Sequence, residues 1–220
     1  MDRALPSAFA GNAGEFFVLA EVTRRGWTAA LTARNNRAYD ILAKRDDEFA
    51  AIRVKTKTPL SDAFQWNAKP NGEIFLELTN KSDFCVLVDI PEDTNVGPTY
   101  YIVPTPLIDK WLKDDFQTWV TTPGAKGQQR AKDNTRRIVH LDGDPTRLSY
   151  GYRQKLAPYK GAWEKLATRE YALDQLALLG QQGGLNVESL LELAKSGMNG
   201  QQLVDYLEDL RKRANARIKA

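Results

Sequence analysis

Arg37-Ala38-Tyr39-Asp40-Ile41-Leu42-Ala43-Lys44-Arg45-Asp46-Asp47-Glu48-Phe49-Ala50-Ala51-Ile52-Arg53-Val54-Lys55-Thr56-Lys57 is the stretch from which the rest of the chain is read. Two apolar runs rich in strand formers, 39–43 and 49–54, flank the polar turn 45–48, and this pattern predicts a β-hairpin with a longer loop. Side chains alternate along a strand, so Arg53, Lys55 and Lys57 share one face while Ile52 and Val54 share the other. Asp40, on the neighbouring strand, then sits beside the basic face. An acid facing a lysine across a hairpin has two readings. In one, Asp40 holds Mg²⁺ and Lys55 steadies the attacking water or the phosphate at a phosphodiester. In the other the two form a solvated cross-strand ion pair.

Working outward, Asn12 and Glu15 have the spacing of an N-cap and a capping-box acid, with residues 1–11 loosely packed before them. The run 16–22 is apolar on most sides and predicts a buried helix, which Gly26 stops. Residues 27–31 suit a first strand. Beyond the hairpin, 59–70 reads as polar and irregular, and its Phe64 and Trp66 either stack on exposed bases or bury against the sheet. Residues 83–90 suit a central strand buried on both faces, and 99–103 the strand after it. After Pro104 and Pro106, Leu107, Ile108, Trp111 and Leu112 predict an amphipathic helix with Asp109, Lys110, Asp114 and Asp115 outward. In 149–166, aromatic residues alternate with cations. That pattern suits a grip on single-stranded nucleic acid, or a helix packing Leu156, Trp163 and Leu166 on the sheet.

Gly14-Glu15 on a helix ended by Gly26, Tyr39-Asp40-Ile41 on a strand and Val54-Lys55-Thr56 on the next resemble the PD-(D/E)XK nuclease superfamily, in its restriction-endonuclease-like and Holliday-junction-resolvase-like branch. The segments 100–104 and 159–164 are similar too, and the resemblance spans residues 11–168. It implies an α/β fold with a central mixed β-sheet flanked by helices. It also implies Mg²⁺-dependent cleavage of nucleic acid, with Asp40 and Glu15 as metal ligands and Lys55 as the catalytic lysine. The second acid of the family pattern falls at position 53, where this chain has Arg53. A guanidinium cannot coordinate a cation and repels it. Either Arg53 is clamped between Asp40 and Glu15 in the metal's seat, leaving an inactive nucleic-acid binder, or another acid, Glu73 or Glu77, completes an active endonuclease of restriction, repair or mobile-element type. Glu15 also has the plainer reading of a helix-capping acid.

The chain has 220 residues, 42% of them hydrophobic, enough for a real core, and a net charge of +3. Such a balance does not by itself imply nucleic-acid binding. Lys126, Arg130, Lys132, Arg136 and Arg137 cluster between two apolar segments and, with Lys57, are the candidate phosphate contacts; a solvated loop is the alternative. The expected partner is nucleic acid, DNA before RNA. The lone Cys85 lies in an apolar run and reads as a buried small hydrophobe. The lone His140 has no partners for a metal cluster or triad. No apolar run is long enough to span a bilayer, and no signal-peptide pattern opens the chain, so the expectation is a soluble, cytoplasmic protein. Residues 1–168 read as the nuclease-like domain. Residues 169–220 read as a C-terminal helical region, near 169–179, 187–195 and 201–216, suited to homodimerisation. Phosphate-loop, zinc, nucleophile-elbow and dinucleotide patterns are absent.

Overall fold

The computed structural model describes residues 7–33, 38–58, 61, 63–69, 72–75, 82–124, 126–144 and 149–167, with 198, 202, 203, 205, 206 and 209 beyond them. The hairpin is its centre. Strand β2 (Ile41–Arg45) pairs antiparallel with β3 (Glu48–Lys57), Arg45 lying opposite Glu48. The turn is therefore only Asp46-Asp47, shorter than the longer loop expected, and Asp46 adopts a left-handed φ of 51° to close it. Aspartate is among the side chains that tolerate that region.

Around this hairpin, β1 (Thr28–Leu31) pairs antiparallel with β2. On the other side, β5 (Asp83–Asp89) pairs parallel with β3, and β6 (Thr99–Pro104) pairs antiparallel with β5. The result is a mixed sheet of order β1-β2-β3-β5-β6. Helices flank it, giving the central mixed sheet with flanking helices that the sequence implies. As expected, β5 is an interior strand buried on both faces, its residues from Asp83 to Val88 all withdrawn from solvent.

The segment 59–70 is not irregular. It contains β4 (Ala63–Asn67), which pairs antiparallel with β7 (Arg136–His140) in a second, two-stranded sheet. Phe64 and Trp66 are buried there, packed with Cys85, Leu87, Tyr101 and Val103 of the main sheet and with Ile108 and Leu112 of α2 (Thr105–Thr121). Burial against the sheet thus holds for both aromatics.

The opposite face is covered by α1 (Ser7–Thr23), which begins before the expected Asn12. Glu15 consequently sits in the helix interior and not at a capping position. Only the stripe Ala10, Gly14, Val18 and Val22 is buried, whereas Phe16 is 59% and Phe17 40% exposed, so the helix is not buried on most sides. A helix laid on one face of a sheet can present a single stripe to it. Gly26, with φ of 83°, ends the turn after α1 and donates its N–H to Thr23 O at 3.0 Å. Where α1 crosses β3, a Cβ on Gly14 would lie 1.9 Å from Thr56 Oγ1, so only glycine permits this approach.

The chain after β7 wraps the β6 edge. Leu156 of α3 (Tyr152–Leu156) enters the core beneath α2, while Trp163 and Leu166 cross to the α1 side. Between them Gly161 N–H bonds Tyr100 O at 2.9 Å. Tyr152 and Trp163 are buried and pack as structure, in a broken run of short turns instead of one helix, and the segment shields the edge. Asp115 departs from its expected outward position, since its Oδ2 accepts from Tyr152 Oη at 2.5 Å. The expectations of three helices and a dimer for 169–220 lie outside the described residues, apart from helical backbone at 202–203, 205–206 and 209. No helix of the described residues is long and apolar enough to cross a membrane.

The Gly14 contact predicts opposite outcomes at two helical glycines. Gly14→Ala should lower unfolding free energy in urea by about 1–3 kcal/mol, the usual cost of overpacking. Gly11→Ala, with nothing within 4 Å of its Cβ position, should be neutral or stabilise by up to about 1 kcal/mol. Equal effects at both positions would refute the close crossing.

Candidate nucleic-acid interface and the seat of a metal

Among the described residues, the second sheet and α2 cover the main sheet over β5 and β6 and leave the outer face of β1, β2 and β3 bare. Thr28, Ala30, Leu42, Lys44 and Phe49 point out from it, Leu42 47% and Phe49 62% exposed. The same alternation carries Asp40 and Arg53 on this face, and then Lys55 and Lys57 where the covering begins.

Asp40 immediately precedes β2 and is held by its main chain. Its N–H donates to Ile52 O at 2.9 Å, and its carbonyl accepts from Thr32 N–H at 2.9 Å. Its carboxylate is equally committed. Oδ2 accepts the Val54 N–H at 2.7 Å, while Oδ1 faces Arg53 Nη1 at 3.4 Å. The ion pair that the hairpin makes is therefore with Arg53, directly across the strands, and not with Lys55.

Lys55, two residues on, points inward instead. Its Nζ lies 5.8 Å from the centroid of the Trp66 ring, and no carboxylate of the described residues comes within ion-pair distance. Burial pushes its ammonium below the ordinary lysine range; Arg53 pushes the same way and Asp40 opposes them. Cys85, opposite Arg53 on β5, is fully buried, and its thiol is pushed up to about 12 by that burial, so it packs as a small hydrophobe. Lys57 is paired, Nζ to Asp89 Oδ1 at 2.7 Å across the β3–β5 register.

The other expected ligands are dispersed. Glu15 belongs to α1, which packs on the opposite, Ile52–Val54–Thr56 face of β3. Glu73 is exposed and pairs with Lys69 at 3.4 Å. Glu77 lies outside the described residues. Among the described residues, no three Asp, Glu, His or Cys side chains form a group able to hold a metal. Mg²⁺ requires near-octahedral oxygen ligands. With both oxygens of Asp40 engaged and a guanidinium at position 53, these residues do not fit it.

The basic cluster divides in three. Lys126 and Lys132 are exposed on the connection between α2 and β7, where the Arg130 guanidinium lies 4.9 Å from the Trp119 ring centroid. Arg136 is exposed on β7 and donates from Nε to Gln65 Oε1 at 3.0 Å. Arg137 is buried, its guanidinium 3.4 Å from the Phe116 centroid and its Nη1 donating to Asn134 O at 2.7 Å. Burial lowers its pKa, and its head is not presented to a phosphate. Phe116 and Trp119 carry no motif; their only sequence signal is the i, i+3 spacing that lets both rings line one face of α2.

No family model matches the chain, and no curated protein matches it. Among solved structures the chain is similar to a bacterial homing endonuclease, I-Ssp6803I, at 12% identity and a TM-score of 0.38, covering 73% of this chain and 91% of that one. It is similar to Hjc, a Holliday junction resolvase from the archaeal hyperthermophile Archaeoglobus fulgidus, at 14% identity and a TM-score of 0.33, covering 59% and 83%. It is also similar to MepB, at 14% identity and a TM-score of 0.31, covering 65% and 93%.

Proposed function

We propose that this chain is a PD-(D/E)XK-fold protein that binds nucleic acid, DNA before RNA, across the bare half of its sheet, with the Asp40–Arg53 ion pair occupying the seat of a metal. The observation that carries the reading is the commitment of both Asp40 oxygens, to the Val54 N–H and to Arg53. A metal would have to displace a guanidinium and share an oxygen with a main-chain N–H, and would still lack a second acid. What remains is an open face bearing Lys44 and Arg53, with Lys126, Arg130, Lys132 and Arg136 as further cations on the α2–β7 connection and on β7. Cations spread along a groove bind a phosphate backbone without reading its sequence. Lys57 and Arg137 contribute through structure, one neutralised by Asp89 and the other buried. Pairing of two copies through the leucine-spaced region 169–220 belongs to the same proposal, as does the division at residue 168.

Supercoiled plasmid, linear duplex and branched DNA should all bind and remain uncut with Mg²⁺ or Mn²⁺. Arg53→Glu, which supplies the second acid and frees Asp40, should gain metal-dependent nicking, and adding Asp40→Ala should abolish it. Metal-dependent nicking by the wild type, lost in Asp40→Ala alone, would instead establish an active endonuclease.

Lys55 adds a pH prediction. Its pKa is depressed in the fold, so between that value and its ordinary one near 10.5 the unfolded chain binds more protons and stability rises with pH. Lys55→Met should therefore unfold at higher urea than wild type at pH 7, and the difference should shrink as pH approaches 10. Lys44→Met, on the open face, should bind duplex DNA more weakly, with a log–log salt slope smaller by about one.

A further inference from the structure

Between α2 and β7 lies a cavity of about 340 Å³, apart from the Asp40 site, whose walls include Phe116, Trp119, His140 and Tyr150. We propose that it receives a single unpaired nucleobase, a reading that rests on nucleic-acid binding and specifies one subsite of it. Four half-exposed rings surround one opening. His140 and Tyr150 stack in parallel, 4.1 Å between centroids with 2° between planes. Phe116 and Trp119 stack at 5.8 Å and 20°. The Arg137 and Arg130 guanidiniums lie over the Phe116 and Trp119 rings, and a planar base stacks on guanidinium planes as it does on rings, whereas an aliphatic ligand gains nothing from that alignment.

Tyr150 is held in its stack by a specific device. Gly143 has φ of 99°, and a Cβ on it would meet Tyr150 Cδ1 at 2.5 Å, so the ring lies against a main chain that only glycine leaves open. Charge sets the orientation of the ligand. Asp115 lines the cavity, anchored by Tyr152 Oη at 2.5 Å and by the Ser149 N–H at 3.3 Å, and a carboxylate there disfavours a phosphate inside. Arg136, also in the lining, is exposed and linked to Gln65, and Arg130 lies over Trp119. Arg137 lines the cavity too, its guanidinium turned onto the Phe116 ring and Asn134 O, so the base enters and its phosphate stays beside the exposed Arg136. The size is at the small end of ligand pockets, enough for one nucleotide and too small for a duplex. Duplex DNA can fill it only by extruding a base, which is easiest where the base is already unpaired.

Two measurements separate this subsite from the wider binding surface. The chain has five tryptophans, whose indole N–H signals can be followed by NMR, with Trp119 assigned through Trp119→Phe. Deoxynucleoside monophosphates at millimolar concentration should shift the Trp119 signal while inorganic phosphate should not. An equal shift with phosphate alone, or none with any nucleotide, would overturn the proposal whether or not the protein binds DNA. In the second, a duplex carrying one unpaired base should bind at least roughly fivefold tighter than the fully paired duplex, the gain of about one aromatic–base stack. Trp119→Ala and Arg136→Ala should each erode that preference while leaving the fully paired duplex bound. A preference that survives Trp119→Ala, or equal affinity for both duplexes, would refute base capture; loss of all duplex binding in wild type would refute the wider function while the nucleotide titration still decides the subsite.

Discussion

Strand β3 must serve two incompatible neighbours, and most of the architecture follows from how it does so. Ile52, Val54 and Thr56 meet α1 and its apolar stripe, while Arg53, Lys55 and Lys57 stand on the other side. The basic side cannot simply be packed over, because a cation withdrawn from water must find a partner or lose its charge. Two of the three meet this constraint with an aspartate and one does not. Arg53 pairs with Asp40, Lys57 with Asp89, and Lys55 rests near the Trp66 ring with its pKa depressed. The second sheet begins to cover the main sheet where the last of these is accommodated, which leaves the hairpin face open.

The Asp40–Arg53 pair is best understood by what its removal would leave. Asp40 is only 17% exposed, and with Arg53 gone its carboxylate would be left with the Val54 N–H. A half-buried pair contributes little net stability, but an abandoned carboxylate is destabilising. Either a cation from the protein or a metal with further acidic ligands can satisfy that oxygen. This chain supplies the guanidinium.

The period-two alternation of the hairpin made its register and its basic face legible, as the continuous apolar run made β5. Arg53 was legible as the obstacle to a metal because a side-chain type alone decides that question. The start of α1 was misplaced because Asn12 has capping chemistry, yet residues 7–11 continue the helix under tertiary packing. Strand β4 was missed because its partner β7 lies about seventy residues later, and pairing over such a separation leaves no local periodic signal. The same separation hid the fate of Arg137, which is buried by Phe116 of α2 and by the β4–β7 pairing. The α2–β7 cavity joins residues from three segments and could not be read from any one of them.

The most direct test of the central claim is titration of the Asp40 side-chain carboxyl carbon by NMR with Mg²⁺, and with Mn²⁺ as a relaxation probe, in wild type and in Arg53→Glu. If the guanidinium holds the metal's seat, the wild-type Asp40 signal keeps its position and width through millimolar metal, whereas in Arg53→Glu it moves with Mg²⁺ and broadens with Mn²⁺ in a saturable way. Saturable movement and broadening of Asp40 in the wild type would contradict the account.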